Sequence, residues 1–203
     1  PRPRKCRDVV YESSRRLGRS DQDEPLFPPD VTAGAIYILR NPLDMAMSCA
    51  NHWGVDVEKA VTNLCDPEFA IARTHEGLAN QLRQSLGSWS GHVRSWVDES
   101  NLPLHLIRYE DLRRDPQNVF SNALRFCGLP LDAARIEKAI AFSSFGELQK
   151  QEKEKGFRER LPKSSGAFFR QGRVGGWREE LTRDLVKQLI DTHGETMKRF
   201  GYL

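Results

Sequence analysis

The sequence predicts an α/β domain built around a parallel sheet. Three observations point there. Short apolar runs rich in strand formers alternate with amphipathic helical stretches, the first such run has no polar face, and it joins its following helix through a tight turn. At 203 residues the chain can bury one sizeable core, and it reads as a single domain over residues 1–203.

Residues 1–24 are polar and charged, with Arg15-Arg16 and the run Asp21-Gln22-Asp23-Glu24, and are expected as loop with one short helix. Pro25, Pro28 and Pro29 mark a turn. Ala35-Ile36-Tyr37-Ile38-Leu39 is apolar on both faces, the pattern of a buried parallel strand. Pro42 suits the first turn of a helix predicted over 42–52, so strand, turn and helix make half of a βαβ unit. Short helices are expected over 56–63 and 67–73. A longer helical region is predicted over 80–99, where Leu82, Leu86, Trp89, Val93, Trp96 and Val97 recur at three- and four-residue steps. Leu104–Arg108 reads as a second strand that turns into helix over 109–113. Further helices follow over 116–127, over 133–141 behind the cap Asp132, and over 145–151. Residues 152–176, rich first in Lys, Glu and Arg and then in Gly, are expected as a long loop. A final helix starts near Thr182 and runs to about Arg199, and no internal repeat is present.

Composition excludes several classes. With 38% hydrophobic and 29% charged residues, the chain is neither disordered nor membrane-like by composition. No apolar run approaches the roughly 20 residues that span a bilayer. The basic start Pro1-Arg2-Pro3-Arg4-Lys5 is followed by no apolar stretch and is not read as a secretory signal. A net charge of +3, from 31 basic and 28 acidic residues, argues against nucleic acid and suits a local pocket for a small anion. Cys6, Cys49, Cys65 and Cys127 form no C-x-x-C pair, so no metal site is expected; as reduced thiols they point to the cytoplasm. No oligomeric state is read from the sequence.

Chemistry-bearing residues gather at the strand ends. Arg40 follows the first strand, where open α/β sheets bind ligands, and Ser48 lies eight residues on. A guanidinium fork and a hydroxyl converge on one phosphate if the chain turns at Asn41-Pro42. The same spacing is compatible with a surface ion pair and a helix-surface hydroxyl. Asp44 is expected to hold the turn, because a carboxylate beside a phosphate is repelled. Tyr109, at the second strand end, can lie against a purine or serve as a half-buried core residue, and Glu110 and Asp111 suit the start of the next helix as caps. The segment Phe169-Arg170-Gln171-Gly172-Arg173-Val174-Gly175-Gly176-Trp177-Arg178 offers glycines that let backbone N–H groups approach an anion, with Arg170 and Arg173 supplying charge and Trp177 as packing anchor.

Taken together these segments resemble the sulfotransferase family, which uses 3′-phosphoadenosine-5′-phosphosulfate (PAPS). Ile38 to Ser48 is similar to the family's "(V/L)-R-(N/D)-P-x-D-x-x-x-S", Arg108-Tyr109-Glu110-Asp111-Leu112 to "R-Y-E-D-L", Ser143-Ser144-Phe145 to "T-S-F", and Arg170 to Trp177 to "R-K-G-x-x-G-x-W". The matches run in family order over roughly residues 26–203, with 1–25 unmatched. The resemblance implies a three-layer α/β/α fold of P-loop NTPase-like type. It implies that Arg40, Ser48, Arg170, Gln171 and Gly172 surround the 3′-phosphate, and that Tyr109 and Ser143 line the adenine pocket. Gln171 stands where the family has Lys, and Ser143 where it has Thr. The activity implied is transfer of a sulfuryl group from PAPS to a hydroxyl or amine of a small-molecule acceptor, without metal.

The family's "Y-P-K-S-G-T-T-W" loop, which holds the 5′-phosphosulfate, and its "K-T-H" segment with the catalytic His have no counterpart before Arg40. No catalytic residue is therefore assigned, and the chain is expected to be a fragment or a remnant, with a non-catalytic binder of adenosine 3′,5′-bisphosphate (PAP) or an interaction domain as alternatives. Of the five histidines, His52 is nearest the Arg40–Ser48 pair in sequence. Residues 53–88 and 152–168 are the expected acceptor-side loops. A family dimer motif would fall at Arg178 to Lys187; only Thr182 is retained from it, so that dimer is not predicted.

Overall fold

The computed structural model describes Pro28 and residues 30–71, 84–157 and 166–203. The elements in chain order are β1 (Ala35–Leu39), α1 (Pro42–Trp53), α2 (Val57–Cys65), β2 (Ala70–Ile71), β3 (Gln84–Ser85), α3 (Trp89–Val97), β4 (Leu104–Arg108), α4 (Tyr109–Arg114), α5 (Pro116–Phe126), α6 (Ala133–Phe142), α7 (Phe145–Lys155), α8 (Trp177–Glu180) and α9 (Arg183–Arg199).

β1 and β4 pair in parallel, from Ala35 opposite Leu104 to Leu39 opposite Arg108. One face of this pair carries Tyr37 and Leu39 into a core shared with α1, α2, α3 and α9, where Leu43, Val61, Val93, Leu189 and Met197 are fully buried. Each such side chain contributes roughly 1.5–3 kcal/mol by leaving water. On the other face α5 packs under β4: Ile107 is buried, and His105 stacks on Phe126 with ring centroids 5.4 Å apart. Helices thus flank the strands on both sides, an α/β arrangement.

Asn41 caps α1 by accepting from the Leu43 N–H at 2.9 Å, with Pro42 in the first turn; Asp56, Ser88, Asp115, Asp132 and Thr182 cap α2, α3, α5, α6 and α9 in the same way. Inside the core His193 lies between Ser90 Oγ, 2.8 Å from its Nδ1, and Cys65 Sγ, 3.7 Å from its Nε2. Burial lowers its pKa to about 4, so it packs as a neutral ring.

Several expectations need correction. β1 is not buried on both faces: Ile36 and Ile38 are 40% and 53% exposed, because α5 lies under β4 rather than β1. The region 80–99 is not one helix. Gly87 takes a left-handed φ of 63° and Ser88 caps α3, so helix begins only at Trp89, while Gln84–Ser85 pair antiparallel with Ala70–Ile71. Within the helix expected over 67–73, Ala70–Ile71 are strand instead, and residues 72 and 73 lie outside the described residues. The helix expected over 145–151 continues to Lys155, taking the first four residues of the expected 152–176 loop. The readings of 1–24, of Leu82 and of 158–165 lie outside the described residues.

Candidate functional site

The parallel register places Leu39 beside Arg108, so the next residues, Arg40 and Tyr109, emerge side by side at the C-terminal strand ends. The Asn41-Pro42 turn sends α1 back along Arg40. Its Nη1 donates to Ser48 Oγ at 2.9 Å and its Nη2 to the Arg173 carbonyl at 3.1 Å. Its guanidinium lies 4.5 Å from the centroid of the Tyr109 ring, and its Nε is buried with no hydrogen-bond partner among the described residues. The convergence that the eight-residue spacing predicts is therefore present.

Tyr109 opens α4, and its hydroxyl donates to the Gly172 carbonyl at 3.2 Å. Glu110 is a brace rather than a cap. Its Oε1 accepts from the Asn41 N–H at 3.1 Å and its Oε2 from the Tyr202 hydroxyl at 3.0 Å, tying the Arg40 turn to the C-terminal segment. Burial first, and then the Glu110 carboxylate, pushes the Tyr202 phenol well above its usual range. Asp111 pairs with Arg114 at 2.7 Å, and α4 has no side-chain cap.

The 166–177 segment closes over these residues. Asp44, buried in α1, accepts from the Gly175 N–H at 2.7 Å and the Trp177 N–H at 3.1 Å. It is structural, as expected, but it holds the glycine segment; Asn41 holds the turn. Gly172 has φ 59°, and a Cβ there would meet the Phe145 ring at 2.5 Å, so only glycine allows this approach. Glu152 on α7 accepts from the Phe168 and Phe169 N–H groups at 2.6 and 3.0 Å. Arg170 forks onto Glu180 at 2.9 and 3.3 Å, Arg173 pairs with Glu179 at 2.8 Å, and Gln171 Oε1 accepts from Arg173 Nε at 3.2 Å. Trp177 packs against the core.

Several of these residues line a cleft of about 970 Å³. Arg40, Ser48, Tyr109, Arg170, Gln171 and Gly172 all border it. Ser143 does not: it ends α6, is exposed, and its hydroxyl donates back to the Ala139 carbonyl at 2.8 Å. The wall at that point is Phe145, two residues on. Its lining also includes apolar and aromatic side chains, Met45, Trp53, Phe69, Leu86 and Phe168 among them, so the described parts of both expected acceptor-side segments reach the cleft. Cys49 also lines it; burial pushes its thiol up to about 12 and keeps it protonated.

Two histidines border the cleft. His52 meets Phe168 edge-on at 5.6 Å. His92 on α3 shares a hydrogen bond with the Tyr37 hydroxyl at 2.8 Å, and burial lowers its pKa to about 4. Only its position opposite Tyr37 in the folded chain reveals it. Among the described residues no group of three or more His, Cys, Asp or Glu is placed to hold a metal, and no helix is long and apolar enough to cross a membrane.

Fold and site define an α/β protein with an arginine-lined cleft at the C-terminal ends of parallel strands. The chain belongs to the sulfotransferase family: the family profile described as "Sulfotransferase domain" matches residues 23–201. Sulfotransferase 2A6 of Rattus norvegicus is 24% identical over 160 residues, covering 74% of this chain and 51% of that protein. The chain spans about half the length of the curated relatives it matches. Among solved structures, mouse sulfotransferase SULT7A1 complexed with PAP superposes with a TM-score of 0.58 at 22% identity, over 80% of this chain and 58% of that one. Retinol dehydratase in complex with androsterone and the inactive cofactor PAP gives 0.61 at 17% identity, over 87% and 50%. These likenesses establish the α/β sulfotransferase fold.

Proposed function

We propose that the chain binds PAPS and serves transfer of its sulfuryl group to a hydroxyl or amine of a small-molecule acceptor. The observation that carries this reading is the convergence of Arg40 and Ser48 beneath the 170–177 segment. The buried Nε of Arg40, which has no hydrogen-bond partner among the described residues, supports the fit, because a phosphate oxygen would satisfy it. Arg40, Ser48, Arg170, Gln171 and Gly172 are proposed to hold the 3′-phosphate, and Tyr109 with Phe145 to flank the adenine. In the reaction, the acceptor oxygen or nitrogen attacks sulfur, the bond from sulfur to the 5′-phosphate oxygen breaks, and PAP leaves. The acceptor's proton goes to a base that we do not assign among the described residues.

The apolar and aromatic side chains in the cleft lining support an apolar acceptor, and the structural neighbour that holds androsterone is in keeping with it. Free thiols at Cys49, Cys65 and Cys127 support a cytoplasmic setting, and the balanced charge supports a small-molecule rather than nucleic-acid partner. A second reading, a PAP-holding domain without transfer, is favoured by one observation: His92, which borders the cleft, has its Nδ1 engaged by the Tyr37 hydroxyl at 2.8 Å. An assay with PAPS and a panel of phenols and alcohols, read by mass spectrometry, separates the two. Sulfated product from the wild type and none from Arg40→Ala supports transfer. PAP binding without product supports the second reading, and undiminished product from Arg40→Ala removes Arg40 from the site.

A further inference from the structure

We propose that Glu180 is an internal competitor of the nucleotide's 3′-phosphate for Arg170, and that this carboxylate sets how tightly the nucleotide is held; the inference rests on the PAPS reading above. The two side chains meet fork to fork, Nη1 to Oε2 at 2.9 Å and Nη2 to Oε1 at 3.3 Å. A phosphate recruits a guanidinium through the same paired geometry, so carboxylate and phosphate contend for the same two N–H groups. Both residues line the cleft, and their side chains are only 38% and 21% exposed.

The neighbouring acids do not share this role. Glu179, whose side chain is 68% exposed, pairs with Arg173 at the surface and lies outside the cleft wall. Asp44 is buried and committed to the Gly175 and Trp177 N–H groups. Among the described residues the cleft wall carries three guanidinium groups, of Arg40, Arg170 and Arg173, against two carboxylates, of Asp44 and Glu180. Glu180 is thus the one acid of the 170–180 segment that both faces the ligand space and occupies a cleft arginine. A bound phosphate must draw Arg170 away from it, and the carboxylate that remains nearby repels the phosphate. Both effects weaken binding and hasten release.

The test is calorimetric titration of the full chain and its Glu180→Gln variant with PAP and with adenosine 5′-monophosphate, which lacks the 3′-phosphate. The variant is expected to bind PAP about threefold or more tightly and the monophosphate unchanged. In an Arg170→Gln background the gain from Glu180→Gln should vanish. If Glu180 merely supports the segment, Glu180→Gln weakens both nucleotides alike; if it orients Arg170 for the phosphate, PAP binding falls. Either result, or an unchanged PAP-to-monophosphate ratio, overturns the inference. A wild-type chain that binds neither nucleotide overturns the PAPS reading itself, and this inference with it.

Discussion

Asp44→Asn tests whether the 170–177 segment is held from beneath. The buried carboxylate accepts two backbone N–H groups, at 2.7 and 3.1 Å. Hydrogen bonds to a charged acceptor are worth roughly 1.5–3 kcal/mol each, and neutral ones about 1 kcal/mol. Asparagine keeps one neutral bond and turns an NH₂ toward the other N–H, a loss of about 2–5 kcal/mol. Easier burial of a neutral amide returns part of this, leaving about 2 kcal/mol. For a chain of this size that lowers Tm by roughly 4–8 °C. Freeing Gly175 and Trp177 also loosens Arg170 and Arg173, so PAP affinity should fall about tenfold. Thermal melts by circular dichroism and calorimetric titration read the two quantities. If Asp44 acted only as a negative charge near the ligand, its removal would tighten PAP binding at constant Tm; that result refutes the latch.

Other outcomes follow from the same geometry. Gly172→Ala places a Cβ against Phe145 in a left-handed backbone and should cost PAP affinity as well as about 1–2 kcal/mol of stability, whereas Gly128→Ala, with open space around it, costs only the backbone term of about 1 kcal/mol; denaturant melts compare them. Arg40→Lys keeps the charge but loses the fork that meets Ser48 and the Arg173 carbonyl, so PAP should bind about tenfold more weakly by titration, with Tm nearly unchanged. His92 and His193 have pKa values of about 4 in the fold against 6.5 ordinarily. The unfolded chain therefore takes up protons first on acidification. Stability from these groups is complete above about pH 6.5 and is lost as pH falls toward 4, and His193→Gln should flatten that slope in urea melts at successive pH values.

How much was legible in the sequence depended on how local the cause was. Arg40, Asn41, Pro42 and Ser48 sit within nine residues, and turn chemistry plus helical spacing brought them together as read. The caps Asp132 and Thr182 were equally local. The 80–99 helix failed because the apolar spacing of Leu86 and Trp89 imitates a helix across Gly87 and Ser88, whose turn chemistry outweighs it. Glu110 looked like a helix-start acid, but its partners Asn41 and Tyr202 are supplied by the β1–β4 register and the C-terminal segment. Ser143 followed its motif in sequence, yet its hydroxyl is satisfied within its own helix. Glu180 and His92 acquire their partners only in the folded chain, so no local pattern marks them.

The most direct test of the account is calorimetric titration of the folded chain with PAP, beside adenosine 5′-monophosphate and the Arg40→Gln variant. Saturable binding of one PAP per chain is expected, with much weaker binding of the monophosphate and a loss of about 1.5–3 kcal/mol, roughly tenfold to a hundredfold, in the variant. A folded chain that releases no heat with PAP, or an Arg40→Gln variant that binds it as tightly as the wild type, would contradict the account.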